Sequence, residues 1–117
     1  MESVNYYYKG VEEFERQNYA EAIKYFELSN NIEEHFKTYE RLFCCWKKLS
    51  DNNKAYACIE KAYHINPNND KTAFEFAKVN AEAGNNELAL VILSEILKRN
   101  PTYKKAADFY DALRKRF

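Results

Sequence analysis

The sequence predicts an all-α protein built as an array of helical hairpins. Three observations carry that expectation. Two proline-marked helix ends, Ile65-Asn66-Pro67-Asn68-Asn69 and Arg99-Asn100-Pro101-Thr102-Tyr103, stand 34 residues apart. A small residue followed four positions later by a bulky one recurs as Ala22/Phe26, Ala55/Ile59 and Ala89/Leu93, at intervals of 33 and 34. The 117 residues include only 2 Gly and 2 Pro, and no alternating apolar–polar run is bounded by turn residues, so no sheet is expected.

The elements follow in order. The first unit runs through Lys9-Gly10-Val11-Glu12-Glu13-Phe14, turns at Gln17-Asn18-Tyr19, and continues into a helix bearing Ala22 and Phe26. In the second, Tyr39, Leu42, Phe43, Trp46 and Leu49 recur at three- and four-residue steps and mark one apolar helix face. Ser50-Asp51-Asn52-Asn53 then turns into the helix of Ala55 and Ile59, which Pro67 stops. The third repeats the logic with Ala73, Phe76, Ala77 and Ala83, the turn Gly84-Asn85-Asn86, and a helix stopped by Pro101. Gly and Asn in these turns suit the left-handed conformation that ends a helix. A last helix, about Lys104 to Arg116, presents Ala106, Ala107, Tyr110 and Leu113 and reads as a cap. The alanines let antiparallel helices approach, and the bulky residue one turn later fills the groove beside each.

These residues resemble the tetratricopeptide repeat pattern, Trp-x2-Leu-Gly-x2-Tyr, then Ala-x3-Phe, then Pro. The first unit supplies Gly10, Ala22 and Phe26. The second supplies Tyr39, Leu42, Trp46, Ala55, Ile59, Ala62 and Pro67, and the third Phe76, Ala77, Gly84, Ala89, Leu93 and Pro101. Departures are Lys9, Glu13 and Glu34 where Leu, Tyr and Pro are usual, and Phe43 at a small position. The resemblance implies a right-handed α-α superhelix. It would form one domain over 1–117, with repeats at about 4–36, 37–70 and 71–103 and a capping helix at about 104–116.

The resemblance also implies that the first helix of each repeat lines a concave groove where partners bind. Tyr7, Val11 and Phe14 would form an apolar wall, Arg41, Cys44 and Lys47 a basic one, and Lys71, Phe74, Glu75 and Lys78 the third segment. Such a wall suits a protein or peptide partner with apolar or aromatic and acidic groups. The plainer account is that Tyr7, Val11 and Phe14 cover the end of the stack. Chaperone-tail binders of this family use a carboxylate clamp of Lys, Asn and Arg. Those positions here hold Tyr7, Val11, Arg41, Lys71 and Glu75; only Lys71 matches, and Glu75 would repel a carboxylate, so that subtype is not expected. Leu88, Val91 and Ile92, left over once the rest of their helix serves the core, are a candidate second interface for self-association or docking; the plainer account is that the capping helix partly covers Ile92 and the rest is ordinary surface apolarity.

Composition and motifs exclude several function classes. Formal charge is zero, which argues against general nucleic-acid affinity. Residues 1–36 carry eight acidic and three basic groups; residues 37–69 carry three and six, and residues 70–117 seven and nine. The acidic front and basic rear are ordinarily solvated faces. Cys44, Cys45 and Cys58 are an odd number without regular spacing, so no disulfide framework is expected and a reducing, cytoplasmic location is. No basic-then-apolar leader opens the chain and no apolar run approaches membrane-spanning length. His35 and His64 pair with no other ligand at one-turn spacing, so no metal is expected. Gly10 and Gly84 are isolated and make no phosphate loop. No cofactor and no enzymatic activity are expected; the function implied is non-catalytic protein–protein interaction.

Overall fold

A computed structural model of the chain describes residues 2–116. Among them are seven helices and no strand: α1 Glu2–Glu15, α2 Tyr19–Ile32, α3 Phe36–Lys48, α4 Asn52–Ile65, α5 Asp70–Glu82, α6 Asn86–Arg99 and α7 Lys104–Arg114. The helices form two compact units, the first ending at Ile65 and the second beginning at Asn66. In the first, α1 packs on α2, α2 on α3 and α3 on α4, and α1 also touches α3. In the second, α5 packs on α6 and α6 on α7. Helices α3 and α5 each start one residue before the expected repeat boundary, and α7 ends at Arg114.

Every hairpin turns in the same way. Gln17, Ser50 and Gly84 take the left-handed conformation, with φ of 65°, 62° and 88°. Their amides donate to the carbonyls of Phe14, Lys47 and Ala81 at 2.9, 3.1 and 3.0 Å. The following amides, of Asn18, Asp51 and Asn85, donate five residues back to Glu13, Trp46 and Asn80 at 2.8, 2.9 and 2.8 Å. This paired closure is the Schellman motif, which satisfies carbonyls that a helix end would otherwise orphan. The same three residues open the next helix, their carbonyls accepting from the amides of Ala22, Ala55 and Ala89. The left-handed position therefore falls on Gln17, Ser50 and Gly84, one residue ahead of Asn18, Asp51 and Asn85. Asn18 and Asn85 instead brace the turn, donating to Glu13 Oε2 at 2.9 Å and Asn80 Oδ1 at 3.3 Å.

Packing follows from the turn. Ala22, Ala55 and Ala89 are fully buried, as are Phe26, Ile59 and Leu93 one turn on. Gly10 lies against the Phe26 ring, where an added Cβ would come within 2.6 Å of Cε1. At the register-equivalent positions, Phe43 accompanies the smaller Ile59, and Ala77 accompanies Leu93. Leu49, expected on the apolar face of α3, is the C-cap and is exposed. In the second unit the end of α6 is tied to the start of α5. Arg99 Nη2 lies 3.0 Å from Asp70 Oδ1, and Asn100 Nδ2 donates to Asp70 Oδ2 at 3.4 Å.

Gly10→Ala should cost about 1–3 kcal/mol through overpacking, although alanine is the better helix former. Urea denaturation checks this, and Gly10→Ala/Phe26→Leu should lose less than the sum of the single losses. Ser50→Gly should raise stability by about 0.5–1 kcal/mol, because glycine adopts positive φ without a Cβ clash. An unchanged or lower denaturation midpoint for Ser50→Gly would contradict that account of the turn.

Candidate functional site

Tyr7, Val11 and Phe14 recur at steps of four and three along α1, so they share one face. All three are half-buried and rest on the core of Ala22, Ile23, Phe26, Leu42 and Cys45. Tyr7 stands 5.7 Å from the Phe26 ring, and Phe14 meets Tyr19 edge-on at 5.5 Å. Arg41 reaches over from α3. Its Nε donates a long hydrogen bond of 3.4 Å to the Tyr7 hydroxyl, and its guanidinium lies 5.6 Å from the centre of the Phe14 ring. The cation is thus oriented by the Tyr7 hydroxyl and the Phe14 ring, which limits the rotamer freedom it would otherwise lose on binding. Cys44, half-buried, and Lys47, exposed, continue along α3 at three-residue steps.

Four expected site residues therefore converge in the first unit: Tyr7, Val11, Phe14 and Arg41. Lys71, Phe74 and Lys78 lie on α5 of the second unit. There the Phe74 ring packs near Tyr103 (6.0 Å) and Phe109 (6.1 Å), with Lys78 Nζ 5.7 Å from its centre. Phe74 is thus spent largely on binding α7. At the expected second interface, Leu88 and Val91 are 43% and 57% exposed, but Ile92 is only 3% exposed and leaves the patch. The reason is periodic. Ala89, Ile92, Leu93 and Ile96 form one buried stripe at helical spacing.

One feature escaped the sequence reading. A cleft of about 240 Å³ opens between the start of α1, the end of α2 and the start of α3. Val4, Tyr7 and Tyr8 give it apolar walls, and Glu33, His35 and Lys37 line its polar side. Its only sequence signal is the pair Val4 and Tyr8, four residues apart. The run Tyr6-Tyr7-Tyr8 conceals which tyrosine faces the core.

Three groups of the first unit, Cys45, Cys58 and Tyr39, are held neutral. Burial pushes the Cys45 thiol up to about 12 and the Cys58 thiol up to about 11. Burial, and then a 2.7 Å hydrogen bond donated by its hydroxyl to Glu34 Oε1, raise Tyr39 to about 12. A thiol held protonated at neutral pH is a poor nucleophile. Among the described residues no three His, Cys, Asp or Glu side chains converge to hold a metal ion. None of the described helices is long and apolar enough to cross a membrane.

Paired helices, alanines at the crossing points and a recurrent turn define a helical-repeat protein. The chain belongs to the tetratricopeptide repeat family, whose model matches residues 50–117. Yeast Tom70 superposes with a TM-score of 0.81 at 23% identity, over 95% of this chain and 23% of that one. A tetratricopeptide repeat protein from Parabacteroides merdae gives 0.87 at 16% identity, over 96% of this chain and 45% of that one. The first such domain of Spaghetti (RPAP3), bound to the HSP90 peptide SRMEEVD, gives 0.80 at 15% identity, covering 97% of this chain and 94% of that one. At these identities the likeness is one of fold. The chain spans about a quarter of the Tom70 chain and under half of the Parabacteroides protein. No curated protein sequence matches it.

The raised values make stability depend on alkaline pH. Cys45, Cys58 and Tyr39 favour the folded state while protonated. Their contribution is whole below the unfolded thiol value near 9 and fades as pH rises towards about 12. The melting temperature should hold from pH 7 to 8.5 and fall between pH 9 and 11. Cys45→Ala should flatten that fall, and an unaltered slope in this variant would show that the thiol does not cause it.

Proposed function

We propose that this protein is a non-catalytic interaction module that holds an extended peptide against the α1/α3 face of its first unit. The observation that carries the reading is the braced Arg41. A guanidinium held by Tyr7 and Phe14 offers its remaining N–H donors to a carboxylate at small entropic cost. Tyr7, Val11 and Phe14 supply apolar surface beside it, and Lys47 adds positive charge along α3. The partner is accordingly a peptide or protein segment joining an apolar or aromatic residue to an acidic one. Peptide binding by the Spaghetti domain, a protein of the same fold, supports this use of the scaffold. A reducing, cytoplasmic setting suits the three free thiols.

A second reading is self-association through α6. Leu88 and Val91 are exposed at register positions where α2 carries the ion pair Glu21–Lys24, at 3.0 Å. The repeat therefore does not itself demand apolar residues there. Sedimentation across a dilution series separates the readings, since only self-association depends on protein concentration and on Val91→Lys.

The peptide reading predicts that Arg41→Ala weakens binding of an end-blocked peptide carrying Phe and Asp by about tenfold. Fluorescence anisotropy at low and moderate salt measures this, with circular dichroism verifying the fold. Equal binding by wild type and Arg41→Ala would end the proposal for this face.

A further inference from the structure

We infer that the cleft bounded by Val4, Tyr7 and Tyr8 takes one large apolar side chain of the bound peptide, and that the peptide's acidic residue stands two positions from this anchor. This rests on the peptide reading above and assigns its specificity.

The chain supplies its own control for the cleft. Val4 and Tyr8 are 44% and 62% exposed. The register-equivalent residues are Lys37 and Lys71 for Val4, and Arg41 and Glu75 for Tyr8. The repeat thus accepts charged residues at both positions, and α1 alone exposes apolar ones there. Neither Val4 nor Tyr8 is among the side chains packed against the core of Ala22, Ile23, Phe26, Leu42 and Cys45. At about 240 Å³ the cleft falls below the roughly 300–1,000 Å³ of sites for drug-sized ligands, but it has room for a single side chain.

Tyr7 joins the cleft to the cation. Its ring lines the cleft while its hydroxyl accepts from Arg41. Lys37 and Thr38, at the α3 side of the cleft, precede Arg41 by four and three residues. On a helix this is about 4.5–6 Å along the axis. Alternate residues of an extended peptide lie about 6.6 Å apart and point to one side. An anchor in the cleft therefore presents its second neighbour to Arg41. Lys37, one turn before Arg41, extends the positive edge. Glu33, at the end of α2, opposes an acidic residue on the other side of the anchor.

The test uses the whole chain and labelled, end-blocked Gly/Ser nonapeptides containing Phe-Ser-Asp, the reversed Asp-Ser-Phe, Ala-Ser-Asp, or Phe and Asp separated by four serines. The better of the first two should bind at least about tenfold more tightly than the alanine and wide-spaced probes. Tyr8→Ser, an exposed position, should abolish the preference for Phe over Ala while leaving dependence on Arg41. If Phe and Ala probes bind alike, if spacing has no effect, or if Tyr8→Ser retains the preference, the anchor assignment is overturned. Arg41-dependent binding in those cases leaves the peptide-face reading standing. If no probe binds in an Arg41-dependent manner at millimolar concentration, both readings fall.

Discussion

Close approach of the two helices in each hairpin is the constraint on which the rest of the structure depends. Ala22, Ala55 and Ala89 are each fully buried and each sits four residues after the residue that closes the preceding turn. The carbonyls of Asn18, Asp51 and Asn85 accept from the amides of those alanines, so turn and crossing point are set by one local geometry. A larger residue at the alanine would push the helices apart, and Phe26, Ile59 or Leu93 would lose its packed surroundings. Gly10 against Phe26 is the tightest case, because the ring fills the space that a Cβ would occupy.

The same geometry places the candidate site. Once α1 and α2 are close, Tyr7, Val11 and Phe14 are left with one edge on the core and another facing outward. Contact between α1 and α3 then brings Arg41 over them. The cation, half-buried, is oriented by the Phe14 ring and the Tyr7 hydroxyl and keeps part of its surface in solvent. Beneath this face the Cys45 and Cys58 thiols are held protonated by burial.

In the second unit the aromatic residue that corresponds to Tyr7 has a different duty. Phe74 leans on Tyr103 and Phe109, and so helps seat α7. Equivalent register positions therefore make different contacts in the two units, which a pattern copied from one repeat to the next does not show.

The sequence by itself determined the hairpins. Alanines at intervals of 33 and 34, the turn residues and the prolines act through local sterics and hydrogen bonds, which a linear pattern records. The shared face of Tyr7, Val11 and Phe14 on α1 follows from their steps of four and three, whereas their assignment to a groove with Arg41 came from the family resemblance. Tertiary structure decided what spacing cannot express. It drew Phe74 to α7 and left a cleft between the start of α1, the end of α2 and the start of α3. It also put Arg41 between Tyr7 and Phe14. Each of these depends on distances between residues far apart in the chain, and such distances are set only when helices pack.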